Sequence, residues 1–193
     1  EQEDTTESVP LMGEGAPAFL PRNAAAFEDP RSRIVIVDAR AHFSRSPARY
    51  DLIVSEPSNP WVSGVSGLFT AEFYRHIADH LASDGHFVQW LHLYESSPEM
   101  AASIVRAFGS VFPVFRAYMS NNGDVILVAR NDVRRPELRP AEMEAMPRLR
   151  QHLRYVGIDS AAMLQAHDAG RGNAIKLLAD SLPAPPNSDF FPY

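Results

Sequence analysis

Two short apolar runs in this chain each end on a carboxylate that could do chemistry. Arg33-Ile-Val-Ile-Val-Asp38 sets Asp38, with Ala39 next to it, after four apolar, mostly β-branched residues, and Tyr50-Asp-Leu-Ile-Val-Ser-Glu56 repeats the device with Glu56. A carboxylate accepts N–H groups in charge-assisted bonds, and it serves as a general base where burial or a neighbour tunes it. Behind Glu56 comes Pro57-Ser58-Asn59-Pro60-Trp61, whose two prolines fix φ and stop a helix or ladder from continuing. So stiff a loop holds the Asn59 amide and the Trp61 ring in place. The plainer reading of Pro60-Trp61 is a plug at the sheet's edge. Gln89 stands at the end of a third apolar run and can line the same pocket. Tyr94, Glu95 and His92 follow it as second-rank candidates, since such residues are more often loop caps.

The elements that must position these groups are legible in outline. Continuous apolar runs at 34–37 and 52–55 read as strands buried on both faces, as in a parallel sheet. Thr70 caps a helix in which Phe73, Ile77 and Leu81 recur every fourth position, with Asp84-Gly85 expected to close it. Phe87 to Leu93 is the third strand. Ser96-Ser-Pro-Glu99 reads as a capping box, and Met100, Ile104 and Phe108 carry the stripe of a second helix. Val114–Met119 and Val125–Ala129, separated by Ser-Asn-Asn-Gly-Asp, read as a hairpin. Three regions result: a poorly anchored lead-in over 1–33, a strand–helix core over 34–132, and over 133–193 a helical appendage (helices at 143–156 and 159–169) with a proline-rich tail. Alternating strands and helices imply an α/β fold whose ligands bind outside the carboxyl ends of the strands, the edge where Asp38, Glu56 and Gln89 fall.

Composition narrows the function classes. A chain of 193 residues with 45% hydrophobic content can bury a core, and a formal charge of -6 argues against affinity won by neutralising nucleic-acid phosphates. There are no cysteines and hence no disulfides or thiolate metal sites. His76 and His80 share a helix face without a third ligand, so no metal is expected. No run approaches the length of a membrane span, and Glu1-Gln2-Glu3-Asp4 is unlike a signal peptide's start, so a cytoplasmic setting is the expectation.

The run from Tyr50 to Trp61, then Gly67-Leu-Phe-Thr-Ala-Glu-Phe-Tyr74, Leu81-Ala-Ser-Asp-Gly-His-Phe-Val-Gln89 and, upstream, Asp29 to Arg40, resembles the spermidine synthase family, in particular members often fused to membrane segments. The resemblance covers residues 28 to about 130. It implies a Rossmann-like class I methyltransferase fold with strand order 3-2-1-4-5-7-6 and a donor that is S-adenosylmethionine or its decarboxylated form. It further implies transfer of an aminopropyl or methyl group to a small-molecule amine, with a homodimer as a possible assembly. Asp38 and the backbone of Ala39 match the place that holds the adenine amino group, the plainer reading of Asp38 being a cap on the following turn, and Glu56 matches the acid that takes the proton from the attacking amine. Asn59 stands where the family has a second acid for the cationic substrate, and an amide supplies no negative charge. Trp61 and Gln89 become candidate substrate contacts. Ser58-Asn59-Pro60-Trp61 is also similar to the Asn-Pro-Pro-aromatic loop of amino-group methyltransferases, without its second proline.

A glycine-rich turn between a first strand and its helix is missing, because Met12-Gly13-Glu14-Gly15 follows no apolar strand. The expectation is therefore that strands 1 and 2 lie upstream of this sequence, the alternative being that residues 1–37 rearrange or are completed by another chain, and that the piece alone is a poor catalyst. Glu1 or Glu3 would then be the acid ending strand 2 and holding the ribose hydroxyls. An enzyme and a non-catalytic, ligand-sensing scaffold both stay open.

Overall fold

A strand needs a partner for its backbone groups, and the apolar run at 34–37 finds one nearer its own N-terminus than the sequence suggests. In the computed structural model, which describes residues 2–192 apart from Ser63, Asn122 and Val133, β1 (Glu3–Glu7) leads through α1 (Pro10–Gly15), a 3-10 turn at 16–19 and α2 (Ala24–Glu28) to β2 (Ser32–Ile36). β1 and β2 pair in parallel, with Asp4 opposite Arg33 and Glu7 opposite Ile36. Arg33 grips both oxygens of Asp4, at 2.9 and 3.0 Å, and fixes that register. The expected lead-in thus contains a strand, and in the order 3-2-1-4-5-7-6 a parallel neighbour preceding strand 3 is strand 2. The strand was not legible because Glu3-Asp-Thr-Thr-Glu7 has no apolar residue. α3 (Ala39–Arg45) follows, capped by Asp38. These elements form one unit, residues 1–48, and a second unit runs from 49 to 193.

The second unit carries a five-stranded sheet in the order β3-β4-β6-β5-β7. β3 (Tyr50–Ser55) is followed by a 3-10 turn (Ser66–Phe69), α4 (Ala71–His80), β4 (Leu81–His92), α5 (Pro98–Val111), β5 (Phe115–Asn121) and β6 (Asp124–Arg130). β3 and β4 are parallel, while β4–β6 and β5–β6 are antiparallel, which reproduces the 4-5-7-6 part of the expected order. Thr70 caps α4 by accepting from the Phe73 amide, as its position predicts. The helix stops at His80, however, and Asp84-Gly85 lies inside the strand, where the register with β3 shifts between Tyr50 and Leu52. Gly85 serves close approach, since a Cβ there would stand 2.9 Å from the Tyr50 carbonyl oxygen. The cap of α5 also moves by one residue: Ser97, not Ser96, accepts from the Met100 amide.

α4 and α5 bury an aromatic cluster against one face of the sheet. Tyr74, Phe87, Phe108 and Phe115 are fully buried, with ring centroids 5.2 Å apart for Tyr74–Phe108 and 5.3 Å for Phe108–Phe115. On β4 the residues alternate, so Phe87, Gln89 and Leu91 enter this core while Trp90 and His92 face the other way.

The C-terminal region is tied into the same unit. The expected helix over 143–156 is split by Pro147 into α6 (Pro140–Glu144) and α7 (Pro147–Tyr155). The helix expected over 159–169 is shortened to α8 (Ala161–Ala166), and β7 (Asp168–Arg171) then pairs antiparallel with β5. α9 (Gly172–Asp180) lies along α5. The proline-rich tail is pinned at Asn187, which is buried: its amide donates to Ser103 O, its side chain donates to Phe69 O at 3.1 Å, and its carbonyl accepts from the Ala71 amide. Thr70 donates to Asp189 at 2.8 Å, and Arg106 holds Asp180 and the Ala184 carbonyl. No helix among the described residues is long and apolar enough to cross a membrane.

Candidate functional site

In the first unit the acids sit where parallel strands end. Glu7 closes β1 and Asp38 lies two residues beyond β2, whose Val37 amide donates to the Glu7 carbonyl at 2.9 Å, so both carboxylates belong to the C-terminal edge of one strand pair. Asp38 is exposed, and its Oδ1 accepts from the Ala41 amide at 2.9 Å. It therefore caps α3, and the Ala39 amide opens that helix. Glu7 Oε1 accepts from the Val9 amide at 2.8 Å. Glu3 begins β1, at the opposite end of the strand from the ligand edge, so the acid that ends the second strand is Glu7 and not Glu3; Glu1 lies outside the described residues. The signal that marks Glu7 in the sequence is β-branched Thr5-Thr6 running into an acid.

In the second unit the residues after β3 and β4 form a small polar and aromatic cluster. Glu56 is exposed directly after Ser55, with no hydrogen bond or ion pair among the described residues. Three residues on, the Asn59 carbonyl accepts from the Val62 amide at 3.0 Å, and its side-chain Oδ1 accepts from the Tyr94 hydroxyl at 3.0 Å. Trp61 meets Tyr94 edge to face, with ring centroids 6.1 Å apart and planes at 84°. Asn59, Trp61 and Tyr94 are thus brought together, and Pro60 beneath them is buried. Tyr94 is presented by a tight turn in which Glu95 has φ of 57° and Ser96 bonds back to Leu93, so Glu95 is a turn residue.

Gln89 lies opposite Ser55, one position before Glu56. It is fully buried, donates to Ser55 O at 3.3 Å and to Trp90 O at 2.8 Å, and leaves its own Oε1 without a partner among the described residues. A buried, unpaired amide oxygen costs about 1–3 kcal/mol. On the opposite face of β4, His92 Nδ1 lies 2.7 Å from Asp124 Oδ1, and its ring packs 5.2 Å from that of Tyr94. That pairing, invisible in the sequence because 32 residues separate its members, fixes the ring behind Tyr94. His80 Nδ1 bonds the His76 carbonyl of its own helix at 2.8 Å.

A sequence model of the spermine/spermidine synthase domain matches residues 13–121, more than half of the chain. The chain belongs to that family. A polyamine aminopropyltransferase of Bacillus subtilis (strain 168) is 33% identical over 103 residues, which cover 53% of this chain and 37% of that protein. The protein of the same description from Desulforudis audaxviator (strain MP104C) is 29% identical over 100 residues, 52% of this chain and 36% of its own length. The chain therefore spans little more than a third of the curated relatives it matches. A spermidine synthase crystallised with the transition-state analogue AdoDATO superposes with a TM-score of 0.76 at 21% identity, over 94% of this chain and 62% of that one. Human methyltransferase-like protein 13 in complex with SAH gives 0.59 at 18% identity, over 78% and 70%. The fold is accordingly the class I methyltransferase-like α/β fold.

Proposed function

We propose that this chain is part of an aminopropyltransferase in which β1 and β2 hold the nucleoside and the loop after β3 holds the amine. The reading rests on one observation above the others: in a member of the spermine/spermidine synthase family, each parallel strand pair ends on carboxylates, the half-buried Glu7 and exposed Asp38 in one unit and the exposed Glu56 in the other. Asp38 accepts the exocyclic N–H of adenine through the oxygen not used by Ala41, Ala39 contributes its backbone, and Glu7 accepts the ribose hydroxyls. The donor is decarboxylated S-adenosylmethionine. The amine nitrogen attacks the aminopropyl carbon bound to the sulfonium, the C–S bond breaks with its electron pair passing to sulfur, and the proton lost by the nitrogen goes to Glu56. Trp61 and Tyr94 supply aromatic faces to the cationic acceptor in place of the charge that Asn59 lacks, and the buried Gln89 oxygen, unpaired among the described residues, can accept one further donor.

The test is release of methylthioadenosine from the decarboxylated donor with a panel of amines. Glu56→Gln is expected to remove turnover and leave nucleoside binding unchanged, and full turnover in that variant sinks the base assignment. A second reading has its own support. Both oxygens of Asn59 are already engaged, by Val62 and Tyr94, and Glu56 has no hydrogen-bond or ion-pair partner among the described residues. Such a loop suits a scaffold that senses the nucleoside without catalysis. Calorimetric binding of methylthioadenosine with no turnover on any amine, or with methyl transfer from S-adenosylmethionine, decides between the readings.

A further inference from the structure

α7 is the least covered regular element of the second unit, and its residues are sorted by face. Met146, Leu149, Leu153 and Val156, at i, i+3, i+7 and i+10, form one apolar row along the helix and its two caps. Met146 is 53% exposed and Val156 65%, and only Leu153 is half-buried. Arg150 and Arg154 lie one turn apart on one side of that row, and Arg148 and His152 lie one turn apart on the other. Pro147 to Tyr155 contains no acid, in a chain whose formal charge is -6. Glu144 and Asp159 line a hollow beside Arg150 and Arg154, yet none of the three α7 arginines forms an ion pair among the described residues. Arg106, Arg116, Arg130, Arg134 and Arg139 of the same unit all do.

We propose that α7 lies flat on an anionic lipid surface, with the Met146–Val156 row entering the acyl boundary, and with Arg150 and Arg154 on one side and Arg148 on the other reaching lipid phosphates. Cations on both edges of an exposed apolar row are what an in-plane helix requires, because the headgroup level meets both flanks at once. A helix of nine residues is too short to span a bilayer and long enough to rest on one. The attraction belongs to local charge and survives the negative total, because screening confines each charge to within about 10 Å.

Sedimentation of the 193-residue chain with phospholipid vesicles tests this without reference to any enzymatic activity. The chain is expected to sediment with an equal mixture of phosphatidylcholine and phosphatidylglycerol, to stay in solution with phosphatidylcholine alone, and to be released in about 1 M salt. Replacing Arg148, Arg150 and Arg154 together by serine is expected to weaken partitioning about 100-fold. Leu149→Ser with Val156→Ser is expected to weaken it about tenfold or more. All five positions are exposed, so circular dichroism should show an unchanged fold. No sedimentation with the anionic vesicles, or undiminished sedimentation of the arginine variant, overturns the proposal. Binding that the arginine variant loses and the apolar-row variant keeps in full is adsorption by charge alone, without entry of the Met146–Val156 row, and overturns it as well.

Discussion

The two units use the same local device and hold it together by different means. In residues 1–48 a parallel strand pair ends on Glu7 and Asp38, yet none of the described side chains there is buried; among its apolar groups Phe27 and Ile36 remain 39% and 47% exposed and Phe19 68%. In residues 49–193 the β3–β4 pair ends on Glu56 over a core of stacked rings and a tail pinned by hydrogen bonds. Strand pairing and capping are enough to shape an acid-tipped edge. Burial is what makes such an edge costly to open, at about 25 cal/mol per Å² of apolar surface. The unit with the core should therefore govern cooperative unfolding, and the first unit should open locally.

The strongest way to break this contrast is Phe108→Ala, which removes the ring shared by Tyr74, Phe87, Phe112 and Phe115. It should cost about 3–5 kcal/mol in urea unfolding, against less than about 1 kcal/mol for Phe27→Ala in the first unit. Equal losses at the two sites would end the comparison. Asn187→Ala should come next, at about 1–3 kcal/mol, because it strands the buried Phe69 carbonyl that its side chain satisfies. Limited proteolysis of the tail should accelerate in step.

Asp38→Ala should cost about 1 kcal/mol by uncapping α3, whereas Asp38→Asn should keep the cap. If Asp38 also holds adenine, Asp38→Asn lowers nucleoside affinity without lowering stability, and calorimetry beside a thermal melt separates the two roles. The smallest effect concerns Glu72. Burial raises its carboxyl, but hydrogen bonds from the Asp189 and Glu72 amides and from Arg75 outweigh that, so its pKa lies below the ordinary glutamate value. The stabilisation is complete above the ordinary value and is lost as pH falls through the lowered one. Hydrogen exchange at the Asp189 amide should accelerate on acidification through that window, and Glu72→Gln should flatten the response.

What could be read along the chain was whatever neighbouring residues decide among themselves. The strands before Asp38 and Glu56, the Thr70 cap, the stripe of Phe73 and Ile77, and the hairpin around Gly123 follow from patterns within a few residues and are present, but the expected burial of both strand faces is not: Ile36, Leu52 and Val54 are exposed. Local patterns misled where a distant backbone intervened: Asp84-Gly85 looked like a helix stop but is strand, because Gly85 must pass the Tyr50 carbonyl. β1 was hidden because its polar residues are held by pairing with β2, and β7 because four residues, Asp168 to Arg171, become a strand only against β5.

The sequence by itself determined the residue types of the site and the strand ends that carry Asp38 and Glu56, since periodicity and turn chemistry are local. The tertiary structure alone decided that Tyr94 takes the Asn59 oxygen, that Asp124 holds His92, and that Asn187 locks the tail onto Phe69 and Ser103. Each of those bonds joins residues more than thirty positions apart. Their formation depends on the closure of long loops that only the packed core stabilises.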